Sequence, residues 1–428
     1  MATRSILRAR TLPVLAMAVF CLLITRSPHA WADPGDRSAD AVWTELDPGA
    51  IARVALPFDP DRPAVSRVFQ LDDLRLLGIL HGVPMEHSLE ALSAHVMLTL
   101  PMPDGTFSRF YIEESPVLSP RLQQALPEIR TYLARSVDQP GVTARLDRTP
   151  MGLHAMIRLP DDLVFVEPLP TREGPWYRSY LRSALEAPSN VRCEVSDEQG
   201  LVVTPLSTQL RTAPPSGASL RTYNMAISAT GEYTQQFGGR AGASAQIATT
   251  VNQLNGIYEP EVSIHFTLVC LAIAPDPATD RYATPSTVDA ALDALNTTVL
   301  DDTCGVNGYQ IGHLFHRRAS AYSGRADFAV VCGASKGNGA STGVDPTTSL
   351  FLIDLFAHEV GHQFNARHIF NSASGAPCTG ARSAGDAYEI ASGTTIMSYA
   401  FSGCPEDIPG TAIPFFNTHS FGFCFFRG

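Results

Sequence analysis

Short apolar runs separated by polar and turn-forming residues dominate the first half of the chain. Between residue 33 and about residue 190 these runs are strand-like, which indicates a first domain. Ala94–Leu100 and Phe107–Ile112 flank a Pro-Asp-Gly turn signal at 103–105, so we predict a hairpin there. Further strands are predicted at 142–147, 153–159 and 163–166, and a helix at 121–133, which Pro127 can kink or split.

The second half alternates between the periods of strands and helices. Arg221–Ser228 predicts a first strand, apolar positions spaced by three and four residues in Ser244–Tyr258 predict a helix, and Val262–Ile273 predicts a long strand. We also predict a helix at 288–300, strands at 310–316 and 328–332, a flexible glycine-rich loop at 333–345, and a helix at 349–364 with a buried apolar first part. The pattern therefore predicts an α/β (α+β) domain at 220–428, preceded by a β-rich domain and a proline-rich linker at 33–219.

The first 32 residues have the features of a signal peptide. Three arginines precede a short apolar run, Leu12–Ile24, and Ala30-Trp31-Ala32 is a small-x-small cleavage signal. The alternative is an uncleaved membrane anchor, but the apolar run is short for a membrane span. We expect a secreted or periplasmic monomer with no stable membrane association. The net charge of −11 argues against a nucleic-acid partner.

One stretch carries the pattern of a zinc site. His358 and His362 are four residues apart, which on a helix places both imidazoles on one face, and Glu359 between them is a candidate general base. His368 can supply a third nitrogen only if the helix stops after His362, and Asn365 stands where a residue with positive φ is needed. An H-E-x-x-H match alone can be an ordinary surface helix, but the third histidine and the helix breaker favour a catalytic zinc site.

This stretch resembles the metzincin zinc peptidases, whose pattern is H-E-x-x-H-x-x-G-x-x-H, with Asn365 in place of glycine. Thr394–Ala400 resembles the methionine turn of that family. The sequence around the histidines and the start of the domain, Arg221–Thr234, resemble the bacterial reprolysin-like (adamalysin-related) branch. The resemblance implies a twisted mixed sheet with a central zinc-binding helix, and an edge strand that binds the peptide substrate by strand addition.

The resemblance also implies roles for individual residues. Zn²⁺ would be held by His358, His362 and His368, with Glu359 as general base, acting on protein or peptide substrates. Tyr399 matches a position from which some metzincins supply a tyrosine to the metal or the oxyanion, although it can equally be a packing residue. Met397 would be a structural floor beneath the metal.

Two other classes of function remain open at this point. One is an exported zinc-binding module without catalysis, such as a degenerate protease or an adhesin-like protein. Intact Glu359 argues against it, and the little chain left for the family's usual last helix argues for it. The other is a zinc hydrolase that acts on something other than peptides.

The cysteines suggest an exported proenzyme. Without Cys21 of the signal peptide and Cys193 of the first domain, six cysteines remain, an even number that favours disulfides. We predict a Cys378–Cys404 bond, because these residues flank the methionine turn. Propeptides of zinc peptidases often block the metal with a thiolate, and Cys193 is the candidate for this role here, the alternative being an inert or otherwise paired cysteine.

Overall fold

Two β-sheets organise the part of the chain that the structure, a computed structural model, describes. The described residues are 37–51, 63–169, 171, 174–185, 193, 219–282, 289–317, 323–342, 351–375, 377–400, 404, 406, 408 and 412–420. The predicted signal peptide and most of the predicted linker lie outside them. Residues 32–428 form one compact unit.

The first sheet is antiparallel throughout and has nine strands in the order β1-β2-β9-β8-β7-β6-β5-β4-β3. The strands are β1 Trp43–Glu45, β2 Arg67–Leu71, β3 Met97–Pro101, β4 Phe107–Glu114, β5 Arg130–Ser136, β6 Thr143–Thr149, β7 Gly152–Arg158, β8 Leu163–Pro168 and β9 Trp176–Leu181. Short helices accompany them: α1 Pro48–Ile51, α2 Asp73–Leu80, α3 Pro120–Ala125 and a 3₁₀ turn at Arg182–Ala184. The β-rich character of the first half is thus confirmed, including the hairpin of β3 and β4.

The helix predicted at 121–133 is wrong in its second half. Helix α3 ends at Ala125, and strand β5 already begins at Arg130. Pro127 lies between them and disfavours helical geometry at the residue before it, so the chain turns there and leaves as a strand.

The second sheet is mixed and has five strands in the order β11-β10-β12-β14-β13. The strands are β10 Arg221–Ala229, β11 Ile264–Ile273, β12 Ile311–Phe315, β13 Gly324–Ala326 and β14 Gly339–Ser341; only β13 runs antiparallel to its neighbour. The helices are α4 Gly231–Gln236, α5 Arg240–Val262, α6 Asp289–Cys304, a π-helix at Phe351–Ala357 and α7 His358–Gln363. The predicted α/β fold is therefore confirmed.

Two details of the second sheet differ from the prediction. The strand predicted at 328–332 is a run of turns, and the predicted glycine-rich loop contains strand β14. Both β13 and β14 have only three residues. A run that short shows no period, so the pattern of side chains could not reveal it.

Helix α5 packs against both sheets, and it is buried along most of its length. On one side Asn255 bonds to Phe266 of β11 through both its amide nitrogen and its amide oxygen. On the other side Asn252 donates to the carbonyl of Leu146 and Thr249 donates to Asp147, both in β6. The helix therefore lies between the sheets, and one hydrophobic core includes residues of both.

Segments from the N-terminal half also bond to both edges of the second sheet. Residues 117–119 pair with Leu268 of the edge strand β11, and Cys193 forms a parallel bridge with Gly324 of the edge strand β13. Among the described residues, no helix is long and apolar enough to cross a membrane.

Candidate metal centre

The helix of the H-E-x-x-H stretch ends where the sequence predicts. Helix α7 ends at Gln363, and Asn365 has a φ of 78°, the left-handed conformation that Asn tolerates better than most residues. The Ala366 amide donates to the carbonyl of Gly361 over 2.9 Å, which closes the C-terminal turn. The chain therefore leaves the helix axis and brings His368 back towards the first two histidines.

Three buried imidazoles converge on one point. The Nε2 atoms of His358, His362 and His368 lie 3.0 to 3.1 Å from one another. Each ring donates from its Nδ1 to a backbone carbonyl, at Ile396, Ala366 and Ala381 respectively, over 2.6 to 2.7 Å. Because a carbonyl can only accept, Nδ1 carries the proton and the three Nε2 lone pairs face one another.

This donor set fits a zinc ion. Zn–N bonds of about 2.0–2.1 Å in a tetrahedral site place the nitrogens about 3.3 Å apart, close to the observed separations. Burial lowers the pKa of His358 to about 4 and the pKa values of the other two imidazoles well below their usual value. The rings are therefore neutral at neutral pH, the form that binds metal. The carbonyls that accept hydrogen bonds from the Nδ1 atoms fix the ring orientations without a metal.

Cys193 belongs to the same cluster. Its sulfur and the ring nitrogens of the three histidines all lie within 4.8 Å of one another. The main chain at Cys193 is held on two sides, by its bridge to Gly324 and by the Tyr399 hydroxyl, which donates to its carbonyl over 3.0 Å. The sequence identified this cysteine as a candidate, and the structure brings its sulfur together with the three imidazoles.

Glu359 and Tyr399 lie beside the histidines. Glu359 is buried next to Gly324, where a Cβ atom would come within 2.1 Å of its Oε1. Tyr399 packs its ring against His368, with 4.7 Å between ring centroids, and burial raises the pKa of its phenol well above the usual value. The hydroxyl therefore keeps its proton and can donate it in a hydrogen bond.

The methionine turn lies directly beneath helix α7. A Cβ atom on Gly361 would come within 2.5 Å of the Met397 sulfur, so the turn reaches the helix only because this residue is glycine. Glu389 holds the turn from below: its carboxylate accepts hydrogen bonds from the Thr394 and Thr395 amides and from the Ser398 hydroxyl, over 2.7 to 3.1 Å. Sequence reasoning missed Glu389, because a lone glutamate five residues before the turn carries no pattern.

Both disulfides in the described residues lie in the C-terminal half. Cys378–Cys404 is the predicted bond beside the methionine turn, and Cys270–Cys304 joins β11 to the end of α6. Cys332 is exposed and outside both bonds, and Cys424 lies outside the described residues.

The other histidines of the second half do not join the cluster. His313 is buried in β12, where its two ring nitrogens meet Gln363 at 3.0 Å and Ser341 at 2.9 Å. Within the described ranges, the only group of histidine, cysteine and carboxylate side chains close enough to hold one metal is the one at Cys193 and the three histidines. His313 is thus a structural link between helix α7 and the second sheet.

Comparison with known proteins bears on the C-terminal half. Residues 219–422 match the family described as metallo-peptidase family M12B, reprolysin-like. Among solved structures, the chain is similar to metalloproteinase-II from Bacteroides fragilis, at 12% identity and a TM-score of 0.43 over 82% of this chain and 94% of that one. No curated protein matches the sequence. The matched segment contains the three histidines, Glu359 and the methionine turn, so this part of the chain is similar to the reprolysin-like metallopeptidases.

Proposed function

We propose that the chain is the exported proenzyme of a zinc endopeptidase, kept latent by Cys193. The observation that carries the proposal is the cluster itself: three oriented imidazoles and one thiol, all four ligand atoms within 4.8 Å. His358, His362 and His368 would hold the zinc. When bound, zinc lowers the pKa of a water molecule and polarises the scissile carbonyl.

In the proposed mechanism, the side chains beside the histidines carry out the proton transfers and bind the oxyanion. Glu359 takes the proton of the attacking water and delivers it to the leaving amine. Tyr399 can donate its hydroxyl to the developing oxyanion once the carbonyl of Cys193 no longer accepts it. The edge strand β13 supports strand addition of the substrate beside Glu359, at the position where Cys193 now pairs with Gly324.

Latency follows from this overlap. A thiolate is a strong zinc ligand, and Cys193 reaches the histidines while its backbone lies on the strand edge that a substrate needs. Activation therefore requires that the thiolate leaves the metal, after which a substrate can compete with residue 193 for the strand edge.

The first test uses residues 33–428 as the wild type and as the variants Glu359→Ala, Cys193→Ala and Cys332→Ala, with an unfolded protein as substrate. We expect a latent wild type, an active Cys193→Ala protein, and an unchanged Cys332→Ala protein, because Cys332 is exposed and lies outside the cluster. A zinc chelator should stop the cleavage by Cys193→Ala.

The double variant Cys193→Ala/Glu359→Ala separates metal binding from catalysis. It should retain stoichiometric zinc by metal analysis and lose cleavage by at least about 10³-fold. Cleavage at a near wild-type rate would refute Glu359 as the base. Bound zinc without turnover in the Cys193→Ala protein would instead favour a zinc-binding module without catalysis.

A further inference from the structure

The N-terminal region, residues 37–185, shares a hydrophobic core with the peptidase domain. We propose that it stays bound after the segment 194–218 is cut, as a noncovalent partner of the peptidase domain, and that activation displaces Cys193 alone. The proposal rests on the proposed function only in taking the chain to be a proenzyme that is cut in this segment.

Apolar packing provides the first argument. One hydrophobic cluster joins Val117, Ile129, Met156 and Phe165 of the N-terminal region to the interior faces of α5, β11, the π-helix and α7. These four side chains are 1% exposed or less. Departure of the N-terminal region would expose apolar surface on both parts at once, and interfaces of this kind usually belong to permanent complexes.

Backbone pairing provides the second argument. The Leu268 amide donates to the Val117 carbonyl over 2.8 Å, and the Ser119 amide donates to the Leu268 carbonyl over 2.9 Å. These bonds cover the β11 edge of the second sheet at Leu268. Because an uncovered strand edge promotes aggregation, the edge needs this segment after activation as well.

Buried charge provides the third argument. Arg182 of the N-terminal region is 1% exposed and contacts Asp354 of the π-helix over 2.5 Å and also the carbonyl of Ala412. Loss of Arg182 would leave the Asp354 carboxylate buried in the π-helix without this cation. Two further ion pairs cross the same boundary, Arg145–Glu259 and Arg158–Glu261.

Cys193 takes no part in these contacts. Among the described residues its sulfur lies with the three histidines, and its main chain bridges to Gly324 and accepts a hydrogen bond from the Tyr399 hydroxyl. Opening the metal centre and releasing the N-terminal region are therefore two separate events, and the contacts of the second are the more extensive ones.

The test uses the full chain without its signal peptide, as Cys193→Ala/Glu359→Ala, so that the thiolate cannot hold the fragments together and the protein cannot digest itself. A recognition sequence for a site-specific protease is placed between Pro205 and Pro214, and cleavage is verified on a denaturing gel. At low-micromolar concentration in native buffer we expect both fragments to elute together from a size-exclusion column. Separate elution would overturn the proposal. Because this variant is inactive, failure of the peptidase proposal would not alter the result.

Two variants test whether the buried Arg182–Asp354 pair helps to keep the cut fragments together. In the cut protein, Arg182→Met should make the fragments separate at a lower urea concentration than in the parent. Arg135→Met is the matched control, since Arg135 pairs with Glu113 inside the first sheet and is half-exposed. Equal urea concentrations for Arg182→Met and the control would refute this role for Arg182. If Arg182→Met does not fold, Arg158→Met, which removes the pair with Glu261, takes its place.

Discussion

Gly324 controls the position of the Glu359 carboxylate because it has no side chain. An added Cβ atom would lie 2.1 Å from Oε1 of Glu359, so the carboxylate would have to move, although its flexible side chain lets it do so without unfolding the protein. Glu359 is the general base in the proposed mechanism, and moving that base would lower the rate, because proton transfer depends on the distance to the attacking water.

We therefore expect Gly324→Ala, in a Cys193→Ala background, to lower kcat about 10²-fold and keep its zinc. Gly78→Ala is the matched control, because a Cβ atom there meets nothing within 4 Å. Steady-state kinetics and metal analysis measure the two effects. A Gly324→Ala protein with unchanged kcat would show that the position of Glu359 does not depend on this glycine.

Asn365 allows a second test at the scale of one residue. Its φ of 78° suits glycine at least as well as asparagine and suits alanine poorly. Asn365→Gly should leave the free energy of unfolding within about 0.5 kcal/mol, and Asn365→Ala should lower it by about 1 kcal/mol. Urea unfolding measures both, and an equal loss in the two variants would show that the asparagine side chain, and not the backbone, matters.

Residues of the site were predictable where the signal is local. His358, Glu359, His362 and His368 lie within eleven consecutive positions, so their spacing encodes the geometry directly. Gly324 and Arg182 were not predictable, because their partners, Glu359 and Asp354, are brought to them only by the fold. The same holds for the contact between Cys193 and the histidines, which the sequence could propose but not locate.

At the scale of elements, the methionine turn depends on Glu389. The carboxylate accepts two backbone amides and the hydroxyls of Ser398 and Thr395, and these bonds lower the pKa of Glu389 despite its burial. The methionine turn also supplies the Ile396 carbonyl, which accepts the hydrogen bond from Nδ1 of His358 and so orients its ring. An error in the turn should therefore affect metal binding as well as stability.

Glu389→Ala should lower the free energy of unfolding by about 2–3 kcal/mol and weaken zinc binding, whereas Glu389→Gln, which still accepts hydrogen bonds, should lose less. A carboxyl with a lowered pKa stabilises the fold above the ordinary glutamate range and ceases to do so as pH falls through its folded-state pKa. On acidification the parent should therefore lose the stability that Glu389 contributes. Glu389→Ala lacks that contribution at every pH, so its stability should change less. Chemical unfolding at several pH values and zinc titration measure this. A Glu389→Ala protein with the parent's zinc affinity would refute the link to His358.

Elements were predictable where they are long. Strands β10 and β11 and helix α5 extend over enough residues to show their periods, and all three appear close to the predicted positions. The π-helix carries no signal in its apolar pattern, which fits an α-helix equally well.

At the scale of the whole molecule, the Arg182–Asp354 pair joins the N-terminal region to the π-helix that precedes α7. Burial raises the pKa of Asp354 to about 7, while Arg182 acts to lower it. Between the ordinary aspartate pKa and about pH 7, the folded protein therefore keeps a proton on Asp354 that the unfolded chain has released. The Asp354 contribution to stability falls as pH rises from the ordinary aspartate range to about 7, and it is constant above that value.

The two residues should respond differently to substitution. Arg182→Met removes the cation and leaves a buried carboxyl, so it should lower the free energy of unfolding by about 3–5 kcal/mol at pH ~8. Its loss should be smaller at pH ~6, where the carboxyl can remain protonated in the folded state. Asp354→Asn removes the charge but can still accept a hydrogen bond from Arg182, so it should cost less and flatten the pH dependence. Urea unfolding of the uncut Glu359→Ala chain at both pH values measures these differences, with Arg135→Met as the surface control. Equal losses for Arg182→Met at the two pH values would mean that the Asp354 carboxyl does not change its protonation between them.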